Sequence, residues 1–304
     1  MLIPAKGFRT AKQVAFAGLI ALAAAVLFAS PAAAQMGTDE FRELARLRRT
    51  TSPFSMSLKL SREFRGVPKQ ETRYEVDCDP PAGKWRFRNL AEGSCCLSDG
   101  EVLMANDGKD SAVLTTFDNP HGGFGFDPRL TGITTFLSPS IPFEKRLDLI
   151  SVESIRHVET TNNSGARTVH LCVIDQHEQE IHYWVQPDHG HRVSRVEFTV
   201  YLKEKNEELY TDRLTSTFSD EIPIPWLPSR VEMTETDSEG VRMSFVMDVS
   251  DVRLKKSIPG ETFSTSGLGL RIGQPFSDIR VKRRIGYWTG TGLSEDLPPV
   301  PKKK

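Results

Sequence analysis

Between Gly240 and Ser250 the chain alternates two kinds of side chain: Val241, Met243, Phe245, Met247 and Val249 on one parity, and Arg242, Ser244, Val246, Asp248 and Ser250 on the other. Only an extended strand sends successive residues to opposite sides, so this run must bury one face and wet the other. The same period recurs at Met56-Leu58-Leu60, Tyr74-Val76-Cys78, Trp85-Phe87 and Val102 to Met104. It returns at Val169-Leu171-Val173, Ile181-Tyr183-Val185, Val196-Phe198-Val200-Leu202 and Val231-Met233. Short polar turns such as Asp99-Gly100, Lys203 to Asn206 and Asp237 to Gly240 separate the runs. Consecutive strands joined in this way predict an up-and-down antiparallel meander, because a parallel crossover needs a longer connection. The expected class is mainly β with a few helices.

Two segments depart from period two. Phe41, Leu44, Ala45 and Leu47 fall at helical spacing behind Thr38-Asp39, which predicts an amphipathic helix capped by one of those two residues, with Glu40, Arg42, Glu43, Arg46, Arg48 and Arg49 on its opposite, charged side. Asn119 to Arg156 breaks the strand pattern with a glycine-rich loop, His121 to Pro128, followed by short helices near Arg129 to Phe136 and after Pro142. The loop has no GKS or GKT and no GxGxxG spacing, so it reads as a connection rather than a phosphate cradle.

The first 34 residues carry Lys6, Arg9 and Lys12, an apolar run from Val14 to Ala29, and then Pro31 and Ala32-Ala33-Ala34. This is the layout of an export signal cut before Gln35, with an uncleaved anchor as the alternative. The whole chain of 304 residues has 39 basic and 40 acidic residues. Such a balance gives no electrostatic drive toward nucleic acid, and one apolar run excludes a multi-span transporter. We read residues 1–34 as signal, 35–265 as one β domain, and 266–304 as an irregular extension ending in Pro298-Pro299-Val300-Pro301 and three lysines. The expected location is the periplasm or another exported compartment, with no membrane span left after cleavage. Export exposes Cys78, Cys95, Cys96 and Cys172 to oxidation. At least one disulfide is expected, with Cys78 and Cys95 or Cys96 flanking one hairpin; buried free thiols are the alternative.

Chemistry-bearing patterns are sparse. His177, His182, His189 and His191 lie close in sequence, and His189-Gly190-His191 could share a strand face and hold a metal, but Gly190 and Pro187-Asp188 make this a turn, which favours reading them as solvated turn residues. No GxSxG occurs, and Glu207-Glu208 is a turn charge pair. We therefore expect no catalytic residue, metal or cofactor. Phe198, Met233, Met243, Phe245 and Met247 have another character: flexible thioethers and aromatics on one sheet face form either an adaptable pocket wall or an ordinary core.

The order of elements, together with Trp226-Leu227-Pro228-Ser229-Arg230-Val231-Glu232 and the strand Val249 to Leu254 closing on Ile258-Pro259 and Phe263, resembles the LolA-like family of outer-membrane lipoprotein carriers and periplasmic lipid-binding relatives. Trp184-Val185-Gln186-Pro187-Asp188 resembles a strand ending there, and Asp127 to Gly132 a segment of exported relatives. The resemblance spans about residues 37 to 265; Lys255 or Lys256 stands where Asn is usual. It implies an unclosed half-barrel with helices over its concave face and acyl chains in the gap. The lid-controlling arginine of those carriers could correspond to Arg42, Arg46, Arg48 or Arg49. On this basis we expect a non-catalytic carrier or chaperone for a lipid or acylated protein, with Phe198, Met233, Met243, Phe245 and Met247 as the pocket wall. An envelope sensory or structural module contacting proteins is the alternative, and a metal-dependent hydrolase using the His177 to His191 cluster a weaker one.

Overall fold

The computed structural model describes residues 30–116, 127–134, 152–163, 166–174, 179–202 and 207–298. Among the described residues a single α-helix, α1 (Pro31–Thr50), precedes a first run of strands: β1 (Phe54–Phe64), β2 (Gln70–Asp79), β3 (Lys84–Asn89), β4 (Cys95–Ser98), β5 (Leu103–Asn106) and β6 (Ala112–Thr115). A second run follows: β7 (Ile155–Asn163), β8 (Ala166–Ile174), β9 (Glu180–Gln186), β10 (Arg192–Leu202), β11 (Glu207–Thr217), β12 (Arg230–Asp237) and β13 (Gly240–Leu254). Three short strands close the chain: β14 (Pro275–Asp278), β15 (Arg283–Trp288) and β16 (Leu293–Ser294).

All sixteen strands form one curved sheet that does not close on itself, so the expected half-barrel is the observed fold. Each run is the antiparallel meander that the polar turns predict. They join where β13 lies along β1, from Phe54 opposite Leu254 to Phe64 opposite Met243. Register shifts in β1, β7, β10 and β13 place bulges along the sheet, and an extra residue on one strand bends it. The alternation read from sequence is the alternation of burial: β13 buries Met243, Phe245, Met247 and Val249 and leaves the opposite parity wetter.

The helix begins earlier than its apolar stripe suggests. Ser30 is its N-cap and accepts a hydrogen bond from the Ala33 amide, and Pro31 stands at the first helical position. Thr38 and Asp39, the expected caps, lie inside it. The Thr38 hydroxyl donates back to the Ala34 carbonyl, and the Asp39 carboxylate accepts from Gln35 and Arg42. The alanines ahead of them are good helix formers, so the helix runs through them to the serine. Of the mid-chain helices, Pro128–Leu130 is a 3-10 turn capped by Asp127; the rest of the Arg129 to Phe136 helix beyond 134, the helix after Pro142 and the glycine-rich loop before Asp127 lie outside the described residues.

Two sequence expectations are corrected here. The segment from 266 is not irregular: β14 extends the sheet by pairing in parallel with β6, and β15 and β16 continue from it. Leu268 and Phe276 from this segment bury Cys95, Leu97, Met104 and Ala112 on the other face of β4–β6, giving a second small core. Its strands are too short for periodicity to show, and Asn106 ties it down by donating to the Leu268 carbonyl and accepting from Gln274. The expected disulfide is also absent, and all four cysteines are free and buried. Cys78 and Cys95-Cys96 do not flank a two-stranded hairpin, since β3 runs between their strands. Strands two apart are separated by about 10 Å, beyond the reach of a disulfide. Cys95 and Cys96 face opposite sides of the sheet, one in each core.

Candidate functional site

Residues paired directly across strands share a face, so the register draws the inner surface. Val196, Leu214, Met233 and Phe245 form one row across β10 to β13. Ser216, Val231, Met247 and Leu60 form a neighbouring row, and Phe198, Asp212, Glu235, Met243 and Phe64 a third. The five residues singled out in the sequence, Phe198, Met233, Met243, Phe245 and Met247, therefore meet on the concave face. Met233, Met243, Phe245 and Met247 are only 1–5% exposed, and Phe198 packs against them at the side.

Separate pieces of chain cover this face at the end where β1 begins. Helix α1 lies over β7 to β9, where Phe41 packs edge-on to Tyr183 at 5.0 Å. Gly37 allows that approach: a Cβ there would stand 2.9 Å from both Ile155 and Leu171. The segment 127–134 inserts Leu130 and Ile133 into the core, and Ile224, Trp226 and Leu227 come from the β11–β12 connection.

Arg48 joins these pieces. Its guanidinium donates to the carbonyl oxygens of Arg129 (2.5 Å) and Thr131 (2.9 Å) and lies 4.7 Å from the centre of the Trp226 ring. Trp226 in turn donates from its indole nitrogen to the Thr51 hydroxyl at the end of α1, at 2.8 Å. Next to it, Arg129 and Asp127 form a fork-like ion pair, both buried. Complete burial pulls the Arg48 pKa down to about 9, against the opposing pull of the Asp127 carboxylate. It remains a cation at neutral pH, and its Nε has no hydrogen-bond partner among the described residues. A buried charge held by neutral carbonyls is a costly fastening compared with an apolar contact, so this closure is easier to reopen than a packed core. Of the four competing arginines, Arg42 and Arg46 pair with Asp39 and Glu43 on the wet side of the helix. Arg48 and Glu40, read from the sequence as part of the charged side, are buried instead: the spacing Phe41, Leu44, Ala45, Arg48 places Arg48 on the apolar stripe, a signal that was present in the sequence.

Toward the other end the same face comes into water. Phe64, which follows Leu58 and Leu60 on the inward parity of β1 and pairs with Met243, is 36% exposed. Polar groups appear in this region. Asp212 is in register with Phe198 on one side and Glu235 on the other, and its Oδ1 is buried with no hydrogen-bond partner among the described residues. Burial first, and the Glu235 carboxylate second, push the Asp212 pKa up to about 7 despite the opposing Arg242.

The histidines do not assemble as their sequence order suggests. His191 places Nε2 2.9 Å from Glu40 of α1, His189 ends an exposed 3-10 turn, and His177 lies outside the described residues. His182 faces the convex side, where it meets His170 of β8. The cluster His177 to His191 thus does not come together at one site among the described residues, because a turn and a strand carry its members to different faces. No helix among the described residues is long and apolar enough to cross a membrane.

The sequence matches no known protein family and no curated protein. Solved structures match the fold. A DUF1329 family protein from Desulfovibrio piger superposes with a TM-score of 0.54 at 14% identity, over 79% of this chain and 100% of that one. A putative outer membrane lipoprotein-sorting protein domain from Vibrio parahaemolyticus gives 0.51 at 15% identity, over 77% and 99%. A LolA superfamily protein from Nitrosomonas europaea gives 0.44 at 17% identity, over 76% and 98%. At these identities the likeness shows the fold alone, a curved sheet that does not close on itself.

Proposed function

We propose that the concave face holds an acyl chain, borne by a lipid or a lipid-modified protein, and that the chain acts as an exported, non-catalytic carrier. The observation that carries this reading is the course of one apolar surface. It is closed at one end by pieces fastened through Arg48 and emerges at the other through Phe64. A ligand chain entering there would gain about 0.8 kcal/mol for each methylene it buries. The thioethers of Met233, Met243 and Met247 can follow the shape of different chains. The lipoprotein-sorting fold supports the same reading. Removal of residues 1–34 would accompany export, and the intact mass of the exported chain reads the start near Gln35.

Binding of a fluorescent fatty acid to delipidated protein tests the site, with Phe245→Asp as the variant. A carboxylate on the buried face would be desolvated by the bound chain, so the expected result is a folded protein that has lost binding. Phe245→Ala separates wall from core: a filled core loses about 3–5 kcal/mol of stability, a ligand wall less, with the change falling mainly on affinity. Wild-type binding by a folded Phe245→Asp protein would remove the carrier reading from this face.

A further inference from the structure

The convex face of β7 to β9 bears a set of side chains that ligand binding on the other side does not use. His170 of β8 stands opposite Glu159 of β7 and Trp184 of β9, and the next outward position, Cys172, stands opposite His157 and His182. The imidazole of His170 lies flat on the Trp184 indole, with ring centres 4.4 Å apart and planes 8° from parallel. His182 stacks on it at 5.2 Å and His157 meets it edge-on at 5.6 Å. The His170 Nε2 and His182 Nδ1 atoms are 3.0 Å apart, so the two rings share a hydrogen bond and cannot both be fully protonated along it. The Arg195 guanidinium covers the Trp184 ring at 4.5 Å and is paired with Glu197.

This arrangement presents imidazole nitrogens toward solvent from rings whose orientation is fixed by stacking. One atom each from His157, Glu159 and His170 can be chosen so that all lie within 4.8 Å of one another, a spacing that small side-chain rotations can close around an ion. Two imidazoles and a carboxylate on an exposed sheet face leave coordination positions open to water. Nitrogen donors suit zinc, copper or nickel, whereas calcium and magnesium prefer all-oxygen sets. We propose that His157, Glu159 and His170 form a binding site for one divalent transition-metal ion of this class, with His182 as a positioning residue that holds the His170 ring. Metal-bound histidines commonly use their second ring nitrogen in such a contact, and losing it weakens binding by about 10- to 100-fold. Sequence order could not reveal the site, since its three members come from two strands and the fourth from a third.

The test uses the untagged protein and titrates Zn2+ and Cu2+ separately, by calorimetry and by competition with a chromogenic chelator. One equivalent is expected to bind. His157→Ala and His170→Ala should each weaken it at least about tenfold, and His182→Ala by about tenfold. His189→Ala and His191→Ala should bind as the wild type does. Cu2+ should also quench Trp184 fluorescence, and the quenching should vanish in Trp184→Phe while binding persists. Circular dichroism on each variant confirms that the sheet is intact. Absence of stoichiometric uptake by the wild type would overturn the proposal, as would undiminished uptake in folded His157→Ala and His170→Ala. The neighbouring Cys172, Glu180 and His182 can also offer atoms within 4.8 Å of one another. Loss of binding in Cys172→Ser with retention in His157→Ala would overturn the assignment in favour of that set.

Discussion

Asp212 shows how far a single residue departs from what its position in the sequence suggests. It sits between Phe198 and Glu235 on the inner face, and burial keeps its carboxyl protonated up to about pH 7. An acid whose pKa is raised by folding favours the folded state while it is neutral. The stability difference from Asp212→Asn should therefore be negligible below about pH 4, where the unfolded carboxyl is protonated too. It should grow through the window from 3.8 to about 7 and level off above it, with Asn the more stable variant. The group is partly exposed, so after allowance for solvent screening the gain at pH 8 is about 1–2 kcal/mol. Urea denaturation of both proteins at pH 4 and pH 8 measures it; equal midpoints at pH 8 would show that the carboxyl is not desolvated. The sequence marks Phe198, Met233, Met243, Phe245 and Met247 as sharing a face, because period two is a property of each strand alone. It does not mark Asp212 or Glu235 as their neighbours, because the register that sets Phe198, Asp212 and Glu235 side by side is a property of the pairing and not of any one strand's period.

Among elements, the contact between α1 and the segment 127–134 is the one whose strength matters most for the proposed carrier. Arg48→Ala would leave the carbonyls of Arg129 and Thr131 without their donor and remove the cation from the Trp226 ring. The expected loss is about 2–4 kcal/mol, from two backbone acceptors that lose their partner in a buried place. Hydrogen exchange should show the loss as faster exchange in Pro31–Thr50 and 127–134, with β12 and β13 still protected. Uniform loss of protection across the sheet would instead make Arg48 part of the global core. The existence of this helix was legible from Phe41, Leu44, Ala45 and Leu47, but not its start. Ser30 caps it across an alanine run that hydropathy reads as part of an export signal. The 3-10 turn at Pro128–Leu130 was legible as a short helix near Arg129, but not its start or its 3-10 form, since three residues are too few to show a period.

For the molecule as a whole, the C-terminal segment decides whether the sheet is one unit or a half-barrel with an ornament. Its two 3-10 turns, Gly260–Phe263 and Thr265–Leu268, pass over the convex side of β4 and β5 before β14 docks beside β6. The turns are close-fitted: a Cβ on Gly267 would stand 2.0 Å from the Thr262 carbonyl oxygen, so no larger residue fits without moving backbone. Removing residues 259–304 would bare Cys95, Leu97, Met104 and Ala112 and leave β6 as an unpaired edge of Ala112-Val113-Leu114-Thr115. An apolar edge strand with no charge on it templates pairing with another chain. The truncated protein should therefore keep its β circular dichroism, bind a hydrophobic dye, and self-associate with rising concentration in analytical ultracentrifugation. Phe276→Ala in the full chain provides the graded counterpart. It should cost about 3–5 kcal/mol if the second core is packed like the first, without creating a new edge. A truncated chain that stays monomeric, dye-silent and as stable as the full one would reduce the segment to an appendage. The main core on the concave side shares no buried residue with the smaller one. Fatty-acid binding by the Phe276→Ala protein should accordingly match the wild type even as its melting temperature falls.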